Sequence, residues 1–453
     1  MWYVEVAELL VFRRFALDAR PTLRVTERSS WRRTRAWRQG FDVLMSLMPC
    51  FVTHLESALD GTALPADRLA TTHRDRPLWV RYDLEGVRRA VRPDDIARRA
   101  PNIWRYRELL PLPDGKDPVT LGEGMSPLLP AKRLGAELGL SDLWIKDESQ
   151  LPTGSFKSRG LALAVTMARH FGVRRLAIPS AGNAGGALAA YAARAGLEAF
   201  VFMPRDTPVV NQLECVLAGA RVFLVSGLIT DCGAVLRRHR ESMGWFDCST
   251  LREPYRIEGK KTMGLELAEQ FDWTLPDAVV CPTGGGTGLI GMWKAFQELK
   301  TLGWLKSDKL PRMIAVQSDG CAPIPRAFAS GERFATPWQN AATCASGLRV
   351  PAAVGDFMIL DAIRASGGEA VAVPEDQIVP AMREATALEG ISVCPETAAG
   401  VAALQRLAQQ GRLSFDERVV LFNTGAATKY VETISLDLPV IEHPDECDAA
   451  PMF

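Results

Sequence analysis

The sequence offers little that would hold a metal ion, cross a membrane or bind a polyanion. Its nine cysteines include no Cys-x-x-Cys pair and its five histidines are scattered, so no metal site is predicted and the thiols are expected to be reduced, as in cytoplasmic proteins. Basic and acidic side chains both number 53, so net charge favours neither nucleic acid nor a membrane surface. No apolar run reaches the roughly 18 residues of a membrane span. We therefore expect a cytoplasmic protein whose partner is a small molecule.

The chain is long enough for two or three domains, and its composition changes along it. Residues 1–44 are rich in arginine, but they also contain acids, which argues against a transit peptide. They are a targeting extension, a basic interaction arm or, in our preferred interpretation, residues upstream of a true start at Met45 or Met48, and we expect them to be poorly ordered. Residues 45–118 are predicted as a small N-terminal segment and linker, 119–435 as the main body of two α/β subdomains, and 436–453 as a C-terminal tail.

Short β-branched runs alternate with helical stretches from residue 143 onward. The runs predicted as strands are 143–146, 175–178, 199–202, 221–225, 278–281, 313–316 and 419–422, and the helices between them include 186–195, 288–299 and 397–409. This alternation is typical of α/β folds with open, largely parallel sheets and helices on both faces. Ligands of such folds bind at the carboxyl ends of the strands.

One lysine stands where an extended segment turns into a helix. The turn Pro-Thr-Gly ends at Gly154, Ser155 is predicted to cap the helix, and Lys157 falls in its first turn. The positive end of the helix dipole disfavours an ammonium there, which favours the neutral amine that condenses with an aldehyde. A solvated lysine in a capping motif is the alternative that this segment alone leaves open.

A glycine-rich turn follows the predicted strand 278–281. It consists of Gly284, Gly285, Gly286, Thr287 and Gly288. Its successive backbone N–H groups would meet a helix N-terminus, which suits a phosphate dianion. The turn lacks the Gly-Lys-Ser/Thr ending of nucleotide P-loops, and no acid stands where a dinucleotide-binding fold needs one. Although close packing alone can select such a turn, we interpret it as a phosphate cradle.

Two further turns supply polar groups. Asn183 offers a neutral hydrogen-bond donor in a turn whose free amides suit a carboxylate, and Thr424 follows the last predicted strand with a hydroxyl that can meet a ring nitrogen without protonating it. Together with the amine of Lys157 and the phosphate cradle, they provide the four complements that pyridoxal phosphate needs.

Six motifs then stand in a characteristic order along the chain. They are LGEGMSPL (121–128), PTGSFKSRG (152–160), SAGNAGG (180–186), IEGKKT (257–262), GGGTG (284–288) and NTG (423–425). Over residues 119–431 the chain resembles the tryptophan-synthase-β-like (fold type II) family of pyridoxal-phosphate enzymes, and within it most closely the threonine synthases. The resemblance implies two open, largely parallel sheets, pyridoxal phosphate as cofactor, and a carbon-oxygen lyase that converts O-phosphohomoserine and water to threonine and phosphate.

The resemblance also implies roles for individual residues. Lys157 would bond to the cofactor as a Schiff base and later move protons, Asn183 would contact the phenolic oxygen, residues 284–288 would hold the phosphate, and Thr424 would meet the pyridine nitrogen. The turn of Gly182, Asn183 and Ala184 would hold the substrate carboxylate. Further candidates for substrate contacts are Ser155, Arg159 and Lys261, with Lys146 and Lys260 also considered for the substrate phosphate. Glu396 either faces the site or is an acid at a helix start.

The chain departs from the family pattern in two places. Ser158 stands where the family usually has Asp, which weakens the substrate assignment. The stretch from His54 to Leu78 resembles a degenerate zinc ribbon without its cysteines, so no zinc is predicted. The alternatives to a synthase are an ammonia-lyase acting on serine or threonine, and a non-catalytic cofactor-binding regulator. By analogy with the family, a homodimer is possible.

Overall fold

The computed structural model of the chain describes residues 50–113, 115–435 and 438. The predictions made for residues 1–44 and for most of the tail 436–453 lie outside these residues. Within the described part, no helix combines the length and the apolar character needed to cross a lipid bilayer.

Strands of the described residues form three sheets. The strands are β1 (Val52–Ser57), β2 (Ala63–Leu64), β3 (Leu78–Tyr82), β4 (Leu128–Pro130), β5 (Asp142–Asp147), β6 (Arg175–Pro179), β7 (Glu198–Pro204), β8 (Arg221–Val225), β9 (Phe246–Asp247), β10 (Ala278–Pro282), β11 (Arg312–Ser318), β12 (Glu369–Val373) and β13 (Arg418–Asn423). Their orders are β2-β1-β3, β12-β11-β10-β13-β5-β4 and β8-β7-β6-β9. The first sheet is antiparallel, the four-stranded sheet is parallel, and the six-stranded sheet is parallel except for β4 against β5.

Helices connect the parallel strands. They are α1 (Leu84–Ala90), α2 (Pro93–Ala97), α3 (Lys132–Leu138), α4 (Lys157–His170), α5 (Asn183–Ala195), α6 (Val209–Leu217), α7 (Ile229–Met243), α8 (Tyr255–Gln270), α9 (Thr287–Leu302), α10 (Pro323–Ala329), α11 (Asp356–Ala365), α12 (Glu375–Glu389) and α13 (Pro395–Gln409). Short 3₁₀ turns precede α4, at Glu148–Gln150 and Pro152–Gly154.

The predicted architecture is confirmed. Each strand predicted from a β-branched run is present, with its ends moved by no more than two residues, and the three predicted helices start one to three residues earlier than expected. The residues added at these starts are 183–185, Thr287 and 395–396, which belong to the turns before the predicted helices. Separate apolar cores pack on the two faces of the six-stranded sheet and against the four-stranded sheet.

The N-terminal sheet includes part of the stretch His54–Leu78 that was predicted as a degenerate zinc ribbon. Asp60 accepts a hydrogen bond from the backbone N–H of Thr62 at 3.1 Å and lies 3.8 Å from Arg74. The Ser57 hydroxyl and the Thr62 amide hold the pKa of Asp60 at about 2, below its usual value. Among the described residues, no group of three or more His, Cys, Asp or Glu side chains is arranged to hold a metal ion. The relation to a zinc ribbon stays a prediction.

A buried ionic cluster joins β5, α4 and α8. Arg159 donates from Nε to Glu148 at 2.6 Å and from Nη1 to Glu266 at 2.8 Å, and Lys146 pairs with Glu266. All four side chains are 0% exposed. Since the attraction between buried charges is screened little by water, each ion depends on its partners, and the cluster fixes the approach of α8 to the lysine-bearing helix α4.

Replacing Arg159 is expected to destabilise the protein severely. Arg159→Ala leaves the buried carboxylate of Glu148 without its ion-pair partner and removes one of the two cations of Glu266, so the free energy of unfolding should fall by about 3–5 kcal/mol in urea titrations. Arg175→Ala is the control, because Arg175 pairs with Glu198 at the surface, where both side chains are more than two-fifths exposed; its cost should stay below about 1 kcal/mol. Equal losses in the two variants would contradict a structural role for the cluster.

Candidate active site

The carboxyl ends of parallel strands from the six-stranded and the four-stranded sheet face one pocket. It is lined by Lys157, by the turn after β6 (residues 179–184), by the turn after β10 (residues 284–288), by Thr424 after β13 and by residues 346–350. The pocket holds about 860 Å³ of free space, counting its open mouth. Residues that the sequence analysis placed in four separate segments therefore meet in one place.

Lys157 is the first residue of α4, but the helix is not capped as predicted. Ser155 was expected to cap it, yet its hydroxyl has no partner and Phe156 occupies the N-cap position without a side-chain bond. Instead, the Ser155 carbonyl accepts hydrogen bonds from the backbone N–H and the hydroxyl of Ser158. The capping prediction is wrong because the backbone of Ser155 bridges to Gly425 and its hydroxyl bonds none of the N–H groups of the first helical turn.

The environment of Lys157 favours a neutral amine. Its side chain is partly open to the pocket and otherwise enclosed by protein, and Nζ lies 3.8 Å from the centroid of the Phe156 ring. Burial, and then the charge of Arg256, lower the pKa of Lys157 to about 8. An amine with this pKa is a nucleophile near neutral pH and can also carry a proton.

The glycine turn leaves no room for side chains. A Cβ atom on Gly284 would stand 2.2 Å from the carbonyl oxygen of Gly347, and one on Gly285 would stand 2.6 Å from Cγ2 of Thr250. Gly286 has φ +81°, a conformation that favours glycine. Because α9 begins at Thr287, the N–H groups of the turn meet the N-terminus of that helix, which is the geometry of an anion cradle.

Asn183 begins α5 and takes part in a chain of hydrogen bonds. Its Nδ2 donates to Oη of Tyr430 at 3.1 Å, and Tyr430 donates to Oε1 of Glu396 at 2.7 Å. The Oδ1 atom of Asn183 is buried without a partner in the protein. One N–H and the carbonyl oxygen of this amide are therefore free to contact a bound molecule.

The backbone carbonyl and N–H of Thr424 both make hydrogen bonds within the protein. Its carbonyl accepts from the N–H of Phe156 at 3.1 Å, and its N–H donates to Oγ1 of Thr397 at 3.0 Å. Its hydroxyl lies 3.5 Å from Sγ of Cys394. A thiol is a weak hydrogen-bonding partner, so the Thr424 hydroxyl keeps its capacity for a ring nitrogen.

Several candidates for substrate contacts do not line the pocket. Arg159 and Lys146 belong to the buried ionic cluster, and Lys261 pairs with Glu258 at 2.7 Å and Glu298 at 2.8 Å. Lys260 is fully buried, donates to the carbonyl of Phe156 and lies over its ring. These cations are engaged inside the protein, and so their assignment to a substrate phosphate is corrected. Ser155 is also fully buried outside the pocket lining, whereas Gly182 and Ala184 do line it.

Arg256 was missed by the sequence analysis. It lies in the first turn of α8 and lines the pocket, although it is only 1% exposed. Its Nη1 donates to the carbonyl of Cys248 at 2.8 Å, while its Nε has no partner. The signal was its position directly before the IEGKKT motif. Tyr430 and residues 346–349 were also missed, and their segments carried no pattern that indicated a site.

The comparisons with known proteins agree with this geometry. A model of the family described as pyridoxal-phosphate dependent enzyme matches residues 119–425. The chain belongs to this family. It is similar to the threonine synthase of Methanosarcina acetivorans, with 36% identity over 83% of this chain and 90% of the relative. It is also similar to the threonine synthase of Methanocaldococcus jannaschii, with 35% identity over 78% of this chain and 86% of the relative.

Solved structures show the same fold at lower identity. Threonine deaminase isoform 2 from Solanum lycopersicum superposes with a TM-score of 0.58 and 23% identity over 68% of this chain and 82% of that one. Maize serine racemase superposes with a TM-score of 0.57 and 23% identity over 67% of this chain and 88% of that one. These likenesses confirm the fold type II architecture predicted from the sequence.

The residues present fit pyridoxal phosphate. The glycine cradle, in which a Cβ atom on Gly284, Gly285 or Gly286 would collide, suits its phosphate, and the Lys157 amine suits its aldehyde. Buried polar atoms of Asn183 and Glu396 that lack partners in the protein lie at the same pocket. The family membership and this donor set agree that the chain is a pyridoxal-phosphate dependent lyase.

The pKa of Lys157 predicts how cofactor uptake depends on pH. Only the neutral amine attacks the aldehyde, so the rate of covalent uptake by the apoprotein should rise about tenfold per pH unit up to about pH 8 and then level off. Visible absorbance and borohydride trapping measure it. Lys157→Ala should give no trapped adduct. A rate that does not change with pH below 8 would contradict the assignment of Lys157.

The cradle predicts a steric effect on cofactor affinity. Gly284→Ala pushes a methyl group against a backbone oxygen that cannot rotate away, and the dissociation constant for pyridoxal phosphate should rise at least about tenfold in absorbance titrations. Gly233→Ala in α7 is the control, because the nearest atom there is the flexible end of Arg237 at 3.2 Å. If the two variants bind the cofactor equally well, the loop is not the phosphate site.

Proposed function

We propose that this chain is a threonine synthase, which converts O-phosphohomoserine and water to threonine and phosphate. The observation that carries the proposal is Arg256, a buried guanidinium with an unpartnered Nε in the same pocket as the glycine cradle. A reaction on a phosphorylated amino acid requires one anion site for the cofactor phosphate and a second for the substrate phosphate. The threonine synthase relatives, similar over most of their length, support the same conclusion.

Several pocket residues have a proposed task. When bound, pyridoxal phosphate supplies the electron sink that stabilises negative charge at the substrate Cα. Lys157 in its neutral form removes protons from Cα and Cβ, and as an ammonium it returns protons to Cγ and Cα, while phosphate leaves from Cγ and water adds at Cβ. The amides of Gly182, Asn183 and Ala184 hold the substrate carboxylate, and Arg256 holds the substrate phosphate until it leaves as inorganic phosphate.

The second candidate is an ammonia-lyase for threonine or serine. It is favoured by the shared fold with threonine deaminase, and it needs Lys157 and the cradle but no second anion site. A non-catalytic regulator is the weakest candidate, because a regulator has no need of an amine tuned toward neutrality beside Asn183 and Thr424.

Product analysis separates these activities. The loaded enzyme is incubated separately with O-phosphohomoserine, threonine and serine, and phosphate, ammonia and keto acid are measured. We expect stoichiometric phosphate and threonine from O-phosphohomoserine. Ammonia and keto acid from threonine, with no phosphate release, would support the ammonia-lyase instead, and no product from any substrate would support the regulator.

The role of Arg256 has its own test. Arg256→Met should raise the KM for O-phosphohomoserine at least about tenfold, the cost of losing a charged hydrogen-bonding partner, with a smaller effect on cofactor affinity. The matched control is Arg252→Met, four residues earlier, where the arginine pairs with Asp75 outside the pocket. A loss of cofactor binding equal to the loss of substrate binding would assign Arg256 to the cofactor phosphate instead.

Three broader predictions remain proposals. A homodimer is supported by the exposed apolar side chains of Val209, Leu213, Val216 and Leu217, which share one face of α6, and light scattering tests it. A cytoplasmic location is supported by the dispersed cysteines of the sequence, which include no Cys-x-x-Cys pair. The division into segments 45–118 and 119–435 rests on composition and on the family resemblance.

A further inference from the structure

Glu396 is a buried acid in the pocket that the proposed roles do not use. It is 4% exposed and lies in the first turn of α13. Its Oε1 accepts from the N–H of Gly347 at 2.7 Å and from the hydroxyl of Tyr430 at 2.7 Å. Its Oε2 is buried and has no partner in the protein. One oxygen is thus fixed, and the other is left for something within the pocket.

These contacts are not those of an acid that merely starts a helix. A capping carboxylate bonds the free N–H groups of its own helix. The partners of Glu396 come from other segments, the loop at Gly347 and the residue Tyr430 beyond β13. Leaving a buried carboxylate oxygen unpaired is unfavourable, so the arrangement is expected where a cation or donor occupies the site during function.

We propose that Glu396, held by Tyr430 and Gly347, is a positioning residue whose carboxylate is the counter-charge for the ammonium form of Lys157. Both side chains line the same pocket, and the negative charge of Glu396 acts on the lysine. The proposal deepens the proposed function, since it concerns the lysine that moves protons there. Tyr430 also bonds Asn183, so one hydrogen-bond chain runs from the counter-charge to the residue beside the cofactor site.

Other groups also face Lys157, and they act in both directions. Burial and the charge of Arg256 on α8 lower its pKa, and Glu396 on α13, Cys394 before it and Cys281 on β10 raise it. The buried Lys260 on α8 also lies near the amine, and burial, followed by the charge of Lys157, lowers the pKa of Lys260 well below its usual value. The two thiols carry little charge because burial raises the pKa of each to about 12. Glu396 is therefore the anion that most offsets burial and Arg256.

The chemical consequence concerns the protonated form of Lys157, which must hold a proton before returning it to the substrate. A lysine that takes a proton from substrate carbon becomes an ammonium in a pocket that already contains the cation of Arg256. Without a carboxylate nearby, that ammonium is unfavourable and the proton is lost easily. With Glu396 in place, Nζ holds the proton until it is delivered to another substrate carbon, and no oxidant or additional reactant is needed.

Competitive labelling of the full-length apoprotein tests this proposal. Acetylation of Lys157 by acetic anhydride is followed by peptide mass spectrometry across a pH series, and the midpoint reports the pKa of the amine, about 8 in the unmodified protein. Because a carboxylate favours the ammonium, Glu396→Gln should lower this midpoint by at least about half a unit. At pH 7 the neutral fraction then rises about 2.5-fold, and labelling speeds up accordingly.

Two further variants keep the test decisive. Tyr430→Phe removes the hydrogen bond that stabilises the carboxylate and should shift the midpoint in the same direction by a smaller amount. Glu375→Gln is the matched control, since Glu375 also begins a helix and accepts a backbone N–H, that of Cys344, but does not line the pocket. It should leave the midpoint unchanged.

An unchanged midpoint in Glu396→Gln, or an equal shift in Glu375→Gln, would overturn the proposal. Because the apoprotein is labelled without substrate, this failure is distinct from failure of the proposed function, which would appear as a lack of phosphate release. Urea unfolding of each variant shows whether it is folded under the labelling conditions.

Discussion

The active site depends on a short backbone connection between the segment before α4 and the loop after β13. Ser155 bridges to Gly425, the N–H of Phe156 bonds the carbonyl of Thr424, and the N–H of Ala426 bonds the carbonyl of Gly154. These bonds couple Lys157 to Thr424 although the two lie far apart in sequence. The amine and the hydroxyl are therefore positioned by one rigid unit, and that unit forms only when β13 has taken its place beside β5.

Two sets of buried basic side chains in the described residues have different functions. Arg159, Lys146 and Lys261 are matched by carboxylates and hold helices together. Lys157 and Arg256 lie in the pocket without a direct carboxylate contact, so their hydrogen-bonding capacity remains available. In a region of low dielectric, a cation paired with an acid contributes to structure, and one left without such a pair is available for binding or chemistry.

Local patterns were sufficient for most of the fold and for the cofactor site. The β-branched runs became strands, and the glycine turn after β10 became a cradle because a side chain does not fit there. Local patterns failed where a residue depends on distant partners. The sequence around Ser155 indicates a helix cap, but its backbone bridges to Gly425 and its hydroxyl makes no capping bond. Glu396 was identified as an ambiguous acid, and only its contacts with Gly347 and Tyr430 distinguish the alternatives.

By itself, the sequence determined the order of strands and helices, the turns that suit phosphate and carboxylate, and the lysine at a helix start, because each follows from backbone preferences within a few residues. Only the tertiary structure decided which basic side chains are available. Arg159 and Arg256 are not distinguished by the sequence, since one lies inside a motif of the family and the other directly before one. Arg159 contacts two carboxylates, whereas Arg256 contacts a carbonyl and lines the open pocket. The difference arises because the partners of each charge come from other segments of the chain.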